Sequence, residues 1–223
     1  MSLEKITSKQ FRKVINIIAK HQCLHVLTKS PANRLTSIYK KYSKEFRDVK
    51  KEGFESTVDN LIKELKTKLP DKETVLTKDL FYDHTKSRNS NDSKKKIKPT
   101  EEKNKALIHY ILSTISVEKQ DKASERGNDG LVFIHNASLE HIIDQENSID
   151  NIMSIGNIIL LERDIHKNVK GERNKKEMYA KSRITFTNKF WNDDRKTFNK
   201  AEDIHKRKRE IFSEYYDIVV NLK

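Results

Sequence analysis

The sequence predicts a mainly α-helical fold, a helical bundle joined to a small module built on one β-hairpin. Three observations carry this. The 223 residues hold only five Gly and three Pro, which leaves little scope for a β-sandwich or a collagen-like chain. Apolar residues recur at three- and four-residue spacing through most of the chain. Over residues 131–143 and 154–162 that period gives way to short runs rich in β-formers, the first bounded by Gly130.

Over residues 8–28, Phe11, Val14, Ile15, Ile18 and Leu24 stand at helical spacing. A second helix restarts at Ser30 with Pro31 in its first turn, and Leu35, Ile38, Tyr39, Tyr42 and Phe46 form its apolar stripe. A third carries Val58, Leu61, Ile62, Leu65 and Leu69 and is closed by Pro70. These three helices make a small bundle within residues 1–83, their stripes forming its core. Residues 84–104, "HTKSRNSNDSKKKIKPTEEKN", offer almost nothing to bury and read as a flexible linker, with Lys94–Lys96 a solvated charge run.

Helical texture returns with Leu107, Ile108, Ile111, Leu112 and Ile115, and a turn-rich gap follows at 122–130. "LVFIHNASLEHII" suits a strand or short hairpin, and "SIGNIILLE" is a second β-like run. "ERDIHKNVKGERNKKEMYAKS" is polar and helical, with Gly171 weakening its middle. The tail is an amphipathic helix that points Ile204, Ile211, Phe212, Tyr215, Ile218 and Val219 inward. The second domain is therefore expected over 105–223, with a strand–loop–strand–helix core at about 131–182 and C-terminal helices over 183–223.

Composition narrows the function. Cys23 is the single cysteine, which excludes an internal disulfide framework and a paired-cysteine zinc site and fits a reducing cytoplasm. No apolar run approaches the roughly 20 residues that cross a bilayer. The opening "MSL" resembles an expression scar, so a piece of a larger protein is expected. Net charge is +13, and between Arg163 and Arg209 there are 16 Lys and Arg against 7 Asp and Glu. A field of that sign concentrated in a fifth of the chain attracts polyanions, nucleic acid foremost; a solvated lysine-rich surface is the plainer alternative.

The notable polar residues gather in the strand–loop–strand–helix block. Glu140 and His141 end the first strand, Asn157 opens the second, and His166 follows Asn157 by nine residues at the start of the helix. Four residues in this order, flanked by two β-like runs and a helix, resemble the ββα-metal (HNH) endonuclease motif. The likeness extends further: "SLEHIIDQ", "IGNIILL", Lys176, Tyr179 and Ser182, then Ile204 and Arg207, are similar to the C-terminal nuclease domain of GmrSD-type modification-dependent restriction proteins. It covers roughly residues 105–223, and the N-terminal helices resemble that family only loosely.

The resemblance implies a DNA endonuclease, with RNA left open as a substrate, working in phage defence in the cytoplasm. It gives His141 the role of general base, a task suited to a side chain that titrates near neutrality. It makes Glu140 and His166 ligands of one divalent metal, and oxygen plus imidazole suits Mg²⁺ or Mn²⁺. Asn157 becomes structural, tying the inter-strand loop so that His141 keeps its orientation. Because neighbours on a strand point to opposite faces, Glu140 and His141 can serve one phosphate only if the strand twists or ends there. Lys167, Lys170, Arg173, Lys175 and Lys176 are the expected phosphate contacts, and Arg207 is expected as a buried ion pair or a DNA contact. Asp144 departs from the proline the family usually places there. The family's N-terminal nucleotide-hydrolysing domain has no counterpart motif here, so a missing domain or partner is expected to supply it. The competing readings are an HNH scaffold that binds nucleic acid without cutting it, and a helical interaction protein in which the motif is coincidence. His135 is a weaker candidate for the site, and His21, His25, His84, His109 and His205 are expected to be structural or solvent-facing.

Overall fold

The computed structural model describes residues 6–82, 99–120, 134–144, 147–169, 172–192 and 198–222. It is mainly helical with one two-stranded antiparallel sheet, and among the described residues no helix is long and apolar enough to cross a membrane. Contacts divide the chain into two units, Met1–Lys78 with Tyr216–Lys223, and Asp79–Tyr215. The division differs from the sequence-based boundaries in two ways. Asp79–Tyr82 belongs with the hairpin, and the end of the last helix belongs with the N-terminal bundle. Most of the expected linker lies outside the described residues, but a helix is already running at Pro99.

In the first unit, α1 spans Ser8–Leu27, α2 Thr36–Asp48, α3 Phe54–Lys66 and α4 Lys72–Leu76. A capping box starts α1: the Thr7 hydroxyl accepts from the Gln10 amide at 3.2 Å, and the Gln10 side chain accepts from the Thr7 amide at 2.9 Å. Pro31 precedes a 3₁₀ turn at Ala32–Leu35 before α2 begins, rather than opening the α-helix itself. Asp71 caps α4 through the Thr74 amide at 2.9 Å. The core joins Val14 and Ile17 of α1 to Leu35, Ile38, Tyr42, Phe54, Val58, Leu61, Ile62 and Leu65. The inward face of α1 is rotated from the expected one. Phe11 and Ile15 are 60% and 45% exposed, while His21 and His25 are buried.

In the second unit, α5 spans Pro99–Lys119 and buries Ile108, Ile111, Leu112 and Ile115. Of the first β-like run, residues 131–133 lie outside the described residues, and only part of the rest is strand. Ile134 and His135 are helical, and β1 covers only Ser138–His141. It pairs antiparallel with β2, Ile158–Leu161, in the register Ser138↔Leu161 through His141↔Ile158. All four β2 residues are buried, because β2 packs against both α5 and α8, Thr185–Asn192. A strand covered on both sides reads as a continuous apolar run, which explains "IILL". The expected polar helix is two helices, α6 at Arg163–His166 and α7 at Glu172–Ala180. The tail helix α9 is Ala201–Val220.

Two features fix the hairpin in place. Gly156 lies so close to α9 that a Cβ there would sit 2.1 Å from the Ile204 carbonyl oxygen, so only glycine fits. The buried Arg207 side chain donates to the Gly156 and Ile158 carbonyls, both at 2.8 Å, with Phe190 against its guanidinium. Arg207 is thus a clamp on backbone carbonyls, not a DNA contact. The Leu80–Tyr82 segment pairs with the inter-strand loop: the Tyr82 amide donates to Met153 O and the Ile155 amide to Leu80 O, both at 2.8 Å.

Candidate active site

The residues that the sequence singled out fall at the exit of β1. Asn157 follows the loop, is fully buried, and spends its amide on backbone. Its Nδ2 donates to the carbonyls of Ile143 at 2.9 Å and Ile152 at 2.7 Å, and its Oδ1 accepts from the Ile143 amide at 2.9 Å. Its own carbonyl accepts from the Ile142 amide at 2.8 Å. Two ends of the inter-strand loop are therefore tied to one side chain.

β1 ends at His141, and its last two side chains diverge as strand alternation requires. The buried His141 ring lies nearly parallel to the Tyr82 ring, with centroids 5.8 Å apart and 12° between planes. Its Nε2 is 3.0 Å from the Tyr82 carbonyl oxygen. A carbonyl only accepts, so Nε2 carries a proton. A backbone carbonyl holding one ring nitrogen is the arrangement that fixes the tautomer of a histidine base.

Glu140 leaves the other face of the strand and meets His166 at the end of α6, with Oε2 and Nε2 2.9 Å apart. Its second oxygen, Oε1, lies 3.3 Å from Nζ of Lys175 on α7. Burial pushes the Glu140 carboxyl up, but His166 and Lys175 outweigh it and hold the group below its ordinary value. At neutral pH Glu140 is an anion already facing two nitrogens.

Lys175 corrects the expectation of an exposed basic face along this helix. It is 3% exposed, and its ammonium donates to the His141 carbonyl at 2.6 Å and to Asp144. Asp144, the departure from the family pattern, is thereby used as the partner of a buried lysine. Lys167 is exposed at the end of α6, as a phosphate contact requires. The side chains of Lys170, Arg173 and Lys176 lie outside the described residues. His135 is exposed and is not brought to Glu140 or His166 by any contact in the structure.

Tyr82 and Glu162, which sequence reasoning missed, complete the surroundings with Tyr179 and Ser182 of the resemblance. Tyr82 supplies the acceptor for His141, although it stands at the edge of a polar run with no periodic signal. Glu162, directly after β2, is buried and accepts from the Ser182 hydroxyl at 2.7 Å and the Arg183 amide at 2.6 Å, which anchors the turn between α7 and α8. Tyr179 is buried, and among the described residues its hydroxyl has no hydrogen-bond partner. Burial first, then the fields of Glu140 and Asp144, raises its phenol well above the ordinary range, so it stays neutral.

One carboxylate oxygen and one imidazole nitrogen are donor types that a divalent ion accepts. The 2.9 Å between Glu140 Oε2 and His166 Nε2 is a hydrogen-bond distance, so an ion held by both would replace that contact and take the deprotonated Nε2 as its ligand. Among the described residues no group of three or more His, Cys, Asp or Glu converges. An ion here would have two protein ligands and complete its shell with water and phosphate oxygens, as Mg²⁺ commonly does. Compared with models of protein families, with curated proteins and with solved structures, the chain matches none.

Proposed function

We propose that the hairpin unit is a metal-dependent endonuclease of the HNH (ββα-metal) type, acting on DNA as part of a restriction protein. The observation that carries this reading is the pairing of a tautomer-fixed histidine with an adjacent carboxylate that meets a second histidine. Consecutive residues lie about 3.8 Å apart at Cα, so His141 and Glu140 spread from one point of backbone to two sides. Because β1 ends at His141, the two side chains would converge on one phosphate only beyond the strand exit, with the entering water opposite the leaving oxygen.

In this reading His141 accepts a proton from water at Nδ1 while Nε2–H stays on the Tyr82 carbonyl. Glu140 and His166 would hold one Mg²⁺ or Mn²⁺, which when bound draws charge from the phosphate and the leaving oxygen. Asn157 keeps the loop closed and so keeps His141 oriented. Lys167, with Lys170, Arg173 and Lys176 after it in sequence, would contact phosphates and give salt-dependent binding. Recognition of modified DNA and nucleotide hydrolysis are assigned to a domain or partner outside this chain, working with it in the cytoplasm.

One observation favours a second reading, a nucleic-acid-binding scaffold without turnover. Glu140 already contacts two nitrogens of its own chain and forms a self-contained charge cluster. Incubating the chain with supercoiled plasmid and Mg²⁺ or Mn²⁺, beside an EDTA control, separates the two. Metal-dependent nicking is expected; salt-sensitive binding with no nicking in either metal selects the scaffold.

A further inference from the structure

We propose that Lys175 is a positioning residue that sets the metal-binding geometry of Glu140, by tying the exit of β1 to α7 through one buried ammonium. The inference rests on the reading of Glu140 and His166 as metal ligands.

An ammonium that is 4% exposed in its side chain is expensive to bury unless oxygens replace its hydration. Lys175 has four. Nζ stands 2.6 Å from the His141 carbonyl, 3.4 Å from the Ile142 carbonyl and 3.3 Å from Glu140 Oε1, and it also contacts Asp144 Oδ1. The next carbonyl, that of Ile143, accepts from Asn157 at 2.9 Å. Three successive carbonyls at the strand exit are thus taken by two side chains. The division of labour is plain: Asn157 closes the loop, and Lys175 fixes the strand end together with the carboxylate next to it.

The consequence for Glu140 is specific. With Oε1 held by Lys175, the carboxylate cannot rotate freely and Oε2 is presented to His166 at 2.9 Å. A partner that orients a metal ligand is usually worth 10–100-fold in metal affinity. Simple electrostatics predicts the opposite sign, because a cation this close to Glu140 repels a divalent ion and its removal should tighten binding. The direction of the change therefore separates positioning from charge.

The test is Mn²⁺ affinity of the full chain, from the free-ion electron paramagnetic resonance signal during titration, for wild type and Lys175→Met. Measurement well below the melting temperature keeps global stability out of the readout. About tenfold or greater weakening is expected. Unchanged or tighter binding overturns the proposal. If the Met protein shows no cooperative melt, Lys175→Gln decides in its place: it keeps a donor for the carbonyls but no charge, and several-fold weaker binding is expected, with unchanged or tighter binding again overturning the role. A wild-type chain that takes up no Mn²⁺ removes the metal reading and this inference together. Normal uptake with an indifferent Lys175 variant removes the inference alone.

Discussion

Replacing Asn157 by Ala tests how much of the hairpin depends on one side chain. Three hydrogen bonds disappear, from Nδ2 to the Ile143 and Ile152 carbonyls and from the Ile143 amide to Oδ1. Each is worth about 1 kcal/mol net, and groups left buried without a partner cost more, so the loss is about 3–5 kcal/mol. In a unit of this size each kcal/mol moves the midpoint by about 2–4 °C, so thermal unfolding followed by circular dichroism should fall by about 10 °C. Asn157→Asp sharpens the test. It keeps an acceptor for the Ile143 amide but turns a carboxylate oxygen toward two carbonyls, so it should be at least as destabilised at pH 7. Either variant melting within about 2 °C of wild type would refute the view that this amide closes the loop.

Two further predictions concern stability. Gly156→Ala forces a methyl to within 2.1 Å of the Ile204 carbonyl oxygen, so α9 or the hairpin must shift; a loss of about 2 kcal/mol or more is expected in urea denaturation, and a neutral result would contradict the close approach. His21 is fully buried, and burial first, then His25 and Lys66, lowers its pKa from 6.5 to about 4. The unfolded chain takes up a proton that the folded bundle rejects, so stability is complete above pH 6.5 and declines as pH falls toward 4, by about 3 kcal/mol. A His21→Leu chain should lose most of that acid sensitivity, and an unchanged pH profile would exclude His21 as its source.

Much of this architecture is legible in the sequence, and the misreadings have physical causes. Ile108, Ile111, Leu112 and Ile115 on α5, and Ile204, Ile211, Phe212, Tyr215 and Val219 on α9, are buried as their spacing predicts, because polar residues leave each stripe only one orientation. On α1, Phe11, Ile15 and Ile18 compete with Val14, Ile17 and Leu24. Apolar residues occur around much of the helix, so periodicity does not choose the face. The buried His21 and His25 mark the true face but do not count as apolar. The expected first strand does not include Ile134 and His135, which are helical despite their β-forming neighbourhood, and the ladder begins at Ser138; residues 131–133 lie outside the described residues.

At the site, Glu140, Asn157 and His166 stand out by order and spacing, and the structure brings Glu140 to His166. Tyr82 carries no such signal, and the sequence reads Lys175 as a phosphate contact, not as the buried cation it is. The partner of Tyr82 is 59 residues away, and local texture carries no trace of such a pairing. Lys175 sits in a run of lysines and arginines where any member looks solvated. Asp144 stands out in its own segment as a departure from the usual proline, but nothing in the sequence pairs it with Lys175.

The central claim is that His141 is the base and Glu140 with His166 the metal site. Single-turnover cleavage of plasmid at saturating Mn²⁺, wild type against His141→Ala, tests it most directly when Mn²⁺ affinity is measured on the same preparations. Loss of general-base catalysis predicts a rate about 100-fold or more lower, with metal affinity within about twofold of wild type. A variant that cuts at the wild-type rate would contradict the account.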